Sequence, residues 1–153
     1  RDYKKAVKDS AAHYTAPYFK DIVKEVEALN DNQNVRFVYF SGPHNEHIKE
    51  AVKALKENQN IEGVTFQGPY DEHVTAAVLS LNNNPNIKLV NFKGPYDKYI
   101  KEAVKALHEN RNVNTVFFQG YDDHIKEVVE ALKTKRSDIK IDINRVGQNT
   151  LKK

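Results

Sequence analysis

The chain reads as an α/β fold of stacked repeats, and three observations carry that reading. Leu29, Leu55, Leu81 and Leu107 recur every 26 residues, and Leu132 follows at 25. Within each interval a short apolar strand pattern, a turn and an amphipathic helix pattern come in the same order, most clearly at 61–86, IEGVTFQGPYDEHVTAAVLSLNNNPN. A unit of this size cannot bury its apolar side alone, so such units must stack. The predicted organisation is a single repeat domain over 1–153. It has an N-terminal cap at 1–18, units at 19–44, 45–70, 71–96, 97–121 and 122–144, and a C-terminal tail at 145–153.

The cap is the least regular part. Its end, Ala16-Pro17-Tyr18, matches the Gly-Pro-Tyr turn of later units, and carrying the register back makes Ala12 and Tyr14 inward strand residues. The first helix is expected over 19–30, with Ile22, Val26 and Leu29 on one face at i, i+4, i+7 spacing. The stripe returns as Ile48, Val52 and Leu55, as Val74, Val78 and Leu81, as Ile100, Val104 and Leu107, and as Ile125, Val129 and Leu132. The other faces are mostly Lys and Glu, as in IKEAVKALKEN and IKEAVKALHEN.

A helix of about 12 residues with one narrow apolar stripe is marginal alone in water, so the strands must cover it. They read IxxVxF: Val35, Val38 and Phe40; Ile61, Val64 and Phe66; Ile87, Val90 and Phe92; Val113, Val116 and Phe118. In the last unit the spacing puts Ile141 and Ile143 inward and Asp138 at the first apolar position, as at the end of a stack. Asparagines fill the helix-to-strand joints, DNQN, ENQN, NNPN and ENRN. They are expected to cap helix ends, where Asn tolerates the left-handed conformation. Gly42-Pro43, Gly68-Pro69 and Gly94-Pro95 end the strands, and Asn45, Asp71, Asp97 and Asp122 stand at N-cap positions. Gly120-Tyr121 lacks the proline, which accounts for the shorter last interval.

With 153 residues one domain is expected. The chain is 39% hydrophobic and 29% charged, with no apolar run near the ~18 residues of a membrane span, so no membrane role is expected. The absence of Cys excludes disulfides and thiolate metal sites. A first residue of Arg1 rather than Met suggests an excised or processed segment, and without a signal-peptide pattern the localisation stays open. The first ten residues carry +2 and the last twenty +4, leaving −3 between them out of a net +3. That is the reverse of a basic groove in the scaffold, so nucleic acid is not the expected partner.

Strand, turn and helix at a period of 26 with IxxVxF in place of LxxLxL resembles the leucine-rich repeats of the ribonuclease-inhibitor-like class, over about 14–143. The units with ALKEN-like helix ends are similar, less closely, to the C-terminal repeat domain of tropomodulins. The resemblance implies a right-handed α/β solenoid with a parallel sheet on the concave face and helices on the convex face. It also implies use in protein recognition. The family's Asn or Cys after the strand is replaced here by Gly-Pro, so the buried ladder tying neighbouring coils lacks its usual residues on this side.

His47, His73 and His124 occupy equivalent positions, with Tyr99 in the gap and His44 nearby. Stacking could align them as metal ligands, but Tyr99 interrupts the column and no carboxylate completes a site, so helix-start packing is the expected role and no metal is assigned. Tyr18, Tyr70, Tyr96 and Tyr121, with His44 in register, form a second column. It is either a ligand platform or, as expected, a cover for the core end with the hydroxyls in water. No nucleophile stands with a base at a known spacing, and no Gly-rich phosphate loop or HExxH occurs, so neither catalysis nor a cofactor is expected.

The remaining candidate is the set of strand positions that alternate with the buried ones. These are Phe37, Gly63, Leu89 and Thr115; Tyr39, Thr65, Asn91 and Phe117; and Gln67, Lys93 and Gln119, with Arg36 and Lys88 beside them. Large aromatic groups on a solvent-facing sheet are what protein interfaces use as anchors. The bland alternative is that they cover their own sheet. Gly63 is expected to leave a notch between Phe37 and Leu89. The expected function is a non-catalytic module that binds a protein partner through this face. The alternative is a structural or self-associating repeat segment, natural or designed, which the near identity of two helices also fits.

Overall fold

The computed structural model describes residues 6–8 and 10–144, with only the backbone described over 6–8. The predicted tail at 145–153, and residues 1–5 and Asp9 of the predicted cap, lie outside the described residues. The order is β1 (Ala6–Lys8), β2 (Ala11–Tyr14), α1 (Ile22–Glu27), β3 (Phe37–Ser41), α2 (His47–Lys53), β4 (Gly63–Gln67), α3 (Glu72–Ser80), β5 (Leu89–Lys93), α4 (Ile100–Lys105), β6 (Thr115–Gln119), α5 (Asp123–Lys135) and β7 (Lys140–Asn144). Among the described residues the strands form one seven-stranded sheet in chain order. Strands β2 to β7 run parallel, whereas β1, which the sequence did not suggest, adds antiparallel to β2.

Register follows the repeat. Val38 pairs with Val64, Val64 with Val90 and Val90 with Val116, while Phe40, Phe66, Phe92 and Phe118 form the next row. Both rows are fully buried and join the helix stripes in one core. The phenylalanine rings stack in file, with centroids 6.2 Å apart from Phe40 to Phe66 and 5.6 Å from Phe92 to Phe118. Ala12 and Tyr14 continue the two rows in β2, with Tyr14 stacked on Phe40. The described helices pack on this one side, and among the described residues no element covers the sheet's other side.

Several expectations are corrected. The predicted helix over 19–30 is a short α1 followed by a tighter 3₁₀ turn at Ala28–Asp31, as helix ends often tighten. The joint asparagines are not left-handed: Asn32 has φ −121° and Asn84 φ −116°, and Ser10 is the one non-glycine with positive φ among the described residues. They act through their side chains. Asn58 Oδ1 accepts the N–H groups of Asn60 and Ile61 at 2.7 and 2.8 Å, and Asn110 Oδ1 accepts those of Asn112 and Val113, both at 2.7 Å.

In the last unit Arg136 takes the asparagine's place. Its buried guanidinium donates to the Leu107 and Val113 carbonyls, both at 3.0 Å, to the Asn110 carbonyl and to Asp138. Asp138 is exposed as expected, but the first apolar position is not lost, because Ile139 fills it at 9% exposure. Ile139 lies seven residues after Leu132, where Val113 lies six after Leu107, but it precedes the next inward residue by two positions instead of three, so β7 keeps the shorter interval and pairs Ile141 with Val116.

Candidate functional site

The open face takes its geometry from strand alternation. Phe37, Gly63, Leu89 and Thr115 are successive partners across four strands, and so are Tyr39, Thr65, Asn91 and Phe117. Ser41, Gln67, Lys93 and Gln119 make a third row. All these side chains are half-buried except at Gly63, which is buried. The expected notch there is filled. A Cβ on residue 63 would lie 2.9 Å from Phe37 Cδ1 and 3.2 Å from Leu89 Cδ2, so the two side chains close over the glycine. Glycine is needed because its neighbours occupy the space.

Tyr39 is held on three sides. Its hydroxyl donates to Gln67 Oε1, its ring lies 4.6 Å from the His13 ring, and Lys93 Nζ sits 5.5 Å from the ring centroid. Arg36 donates from Nε to Glu62 Oε2 at 2.6 Å on the exposed rim, where Lys88 is also exposed. Asn91 Oδ1 has no hydrogen-bond partner among the described residues. Phe117 stands three strands from Tyr39, about 14 Å at sheet spacing, with Phe37 on the same strand as Tyr39 and Leu89 on a strand in between. His13 also belongs to this face, on a strand within the predicted cap. Its position is legible in the sequence, since His13 lies between the inward Ala12 and Tyr14.

The turn column is bonded rather than solvated. The Tyr70 hydroxyl lies 2.7 Å from the Phe66 carbonyl oxygen and 2.8 Å from that of Lys93, and it accepts the Lys93 N–H at 3.0 Å. Tyr18 reaches the Tyr14 and Ser41 oxygens, and Tyr96 those of Phe92 and Gln119. Each hydroxyl therefore links its own strand end to the next strand's. Burial raises the pKa of Tyr70 and Tyr96, keeping both hydroxyls protonated.

His44 takes the same place in its unit. Its Nε2 donates to the Gln67 carbonyl at 2.9 Å, and Nδ1 has no partner among the described residues. Burial pushes its pKa below the usual histidine value, against the opposing pull of the Gln67 bond and Asp71. Tyr121 departs from the column. It is 39% exposed, because the missing proline lets the chain turn through Gly120 at φ +91°.

Asn45, Asp71, Asp97 and Asp122 accept the N–H of His47, His73, Tyr99 and His124 at 2.9–3.1 Å, so the histidine column sits at capped helix starts. Among the described residues no three His, Cys, Asp or Glu groups converge. The helix side has clefts of about 510 Å³ between α4 and α5 and about 520 Å³ between α1 and α2, both lined with mixed Lys and acidic side chains. Among the described residues no helix is long and apolar enough to cross a membrane. No protein-family model and no curated protein matches the chain.

Proposed function

We propose that the chain is a non-catalytic protein-recognition module, a right-handed solenoid of leucine-rich-repeat type that binds a protein partner on a concave sheet. Handedness is supported by the rule that parallel strand–helix–strand crossovers are right-handed in about 98% of cases. Curvature is supported by a mismatch of spacings. Each unit contributes one strand, about 4.8 Å wide in a sheet, and one helix, which packs at about 8–10 Å, so a stack of units bends with its strands inside.

The observation that carries the function is the open face itself. Its inward counterparts repeat Val and Phe without change, whereas the outward rows run Phe, Gly, Leu, Thr and Tyr, Thr, Asn, Phe. Large side chains held half-buried by their neighbours lose little freedom on binding, which favours them as anchors. The competing reading, a structural or self-associating segment, rests on the near identity of the α2 and α4 sequences.

The two readings separate in an affinity capture from cell extract. A protein retained by the wild-type chain and lost with Tyr39→Ala and Phe117→Ala supports recognition. Retention unchanged by those substitutions, or no specific retention, contradicts it.

A further inference from the structure

The two ends of the sheet are finished differently. At one end the edge strand β1 has three residues among those described, and short edge strands are a common protection against unwanted pairing. At the other end β7 has five residues, KIDIN, and among the described residues pairs with β6 alone. Its apolar residues Ile141 and Ile143 pack against the core but stay half-exposed.

The backbone of β7 shows which groups are free. Lys140 donates its N–H to the Asn114 carbonyl at 2.9 Å, and the Asn144 carbonyl accepts the Gly120 N–H at 2.8 Å. Residues 140, 142 and 144 therefore turn their backbone groups toward β6, and Ile141 and Ile143 turn theirs outward.

We propose that β7 pairs antiparallel with β7 of a second copy, about a two-fold axis at Ile141, joining two sheets into one. Self-pairing has few possible registers, and charge chooses among them. An axis at Asp142 sets the two Asp142 side chains opposite each other, and an axis at Lys140 sets two lysines together. An axis at Ile141 places each exposed Lys140 opposite Asp142 of the other copy, on the open face. It also puts Ile139 opposite Ile143 and Ile141 opposite itself on the helix side, extending the buried rows. Directly opposite cross-strand charges attract and like charges repel, so of these three registers this one is self-complementary; an axis at Ile139 would also set Asp138 against Lys140, but the Ile139 N–H is already bonded to the Arg136 carbonyl. The Ile141 N–H and C=O of the two copies then bond each other, as do the Ile143 N–H and the Ile139 C=O.

Sedimentation equilibrium on the full chain up to about 1 mM tests this, with circular dichroism as the folding control. A concentration-dependent dimer is expected. Asp142→Lys places lysines opposite each other and should weaken it about tenfold or more, while Lys140→Asp with Asp142→Lys restores the pairs and should return the constant to within about threefold. Ile141→Pro removes an outward N–H without touching a bond to β6 and should abolish the dimer with the fold kept. Tyr39→Ala and Phe117→Ala should leave it unchanged, which separates this edge from the proposed recognition face. A monomer at about 1 mM, assemblies larger than a dimer, a dimer indifferent to Asp142→Lys or one lost with the Tyr39 change would each overturn the proposal.

Discussion

The two faces of the sheet lie one residue apart along each strand and obey different rules. On the helix side Val38, Val64, Val90 and Val116 sit in one row and Phe40, Phe66, Phe92 and Phe118 in the next, all fully buried. On the open side the paired rows change residue at every strand. Close packing accounts for the difference, since a buried ring that must stack on the same ring in the next unit leaves no room for another shape. An outward side chain meets water and is free to be chosen for something else. The contrast teaches that repetition marks the core here, and that the irregular rows are where function is to be sought.

The sharpest way to break the contrast is to damage the regular side. Phe66→Ala, in the middle of the ring file, should lower stability by about 3–5 kcal/mol in a urea melt, because the cavity lies between two stacked neighbours. Ile143→Ala, at the half-buried end of the stack, should cost roughly half as much or less. A larger loss at Ile143 would mean that the stack is not held from its middle.

Next in size is the turn ladder. Tyr70→Phe keeps the ring but leaves the Lys93 N–H and the strand-end carbonyls short of a partner, at an expected cost of about 1–3 kcal/mol. A neutral result would show that water replaces the hydroxyl, and that the column covers the core without tying neighbouring units.

Smaller still is the effect of His44. Its pKa is lowered in the fold, so the unfolded chain binds the proton more readily. The stability this group supports is intact above about pH 6.5 and falls as pH drops below that value, levelling once the folded-state histidine is also protonated. His44→Tyr, the residue used by the units on either side, should flatten that acid slope and raise stability by about 0.5–1.5 kcal/mol. Part of the slope should survive, because burial and nearby Lys135 lower His108 as well. An unchanged pH profile would remove His44 from the ladder. Smallest of all, replacing His47, His73 and His124 together with Gln should change neither the melt nor any response to zinc, since their backbone N–H groups, not their rings, bond the cap residues.

Much of this was legible from the period alone. The rows Val38 to Val116 and Phe40 to Phe118, the inward Ala12 and Tyr14, and the caps at Asn45, Asp71, Asp97 and Asp122 follow from spacing, because stacked units transmit register from one to the next. What was not legible depends on side-chain reach across units. A pattern of residue types does not tell that the Tyr70 hydroxyl finds the Lys93 backbone instead of water, or that Phe37 and Leu89 lean together over Gly63. In the sequence Arg136 is one of six basic residues among the last twenty, and only its depth reveals a guanidinium replacing an asparagine. The short β1 carried no periodic signal. On the open face the sequence identified which side chains share a surface, while the contacts that hold Tyr39 against Gln67, His13 and Lys93 came from the structure.

The central claim is that the open face can lose its anchors without loss of fold, and binding calorimetry with the captured partner tests it most directly. Tyr39→Ala and Phe117→Ala should each weaken binding by about 2 kcal/mol or more. Leu79→Ala and Lys101→Ala, exposed on the helix side, should leave it within a few tenths, with circular dichroism unchanged for all four. Loss of the partner with the helix-side pair while the strand-side pair still binds would contradict the account and move recognition to the other face.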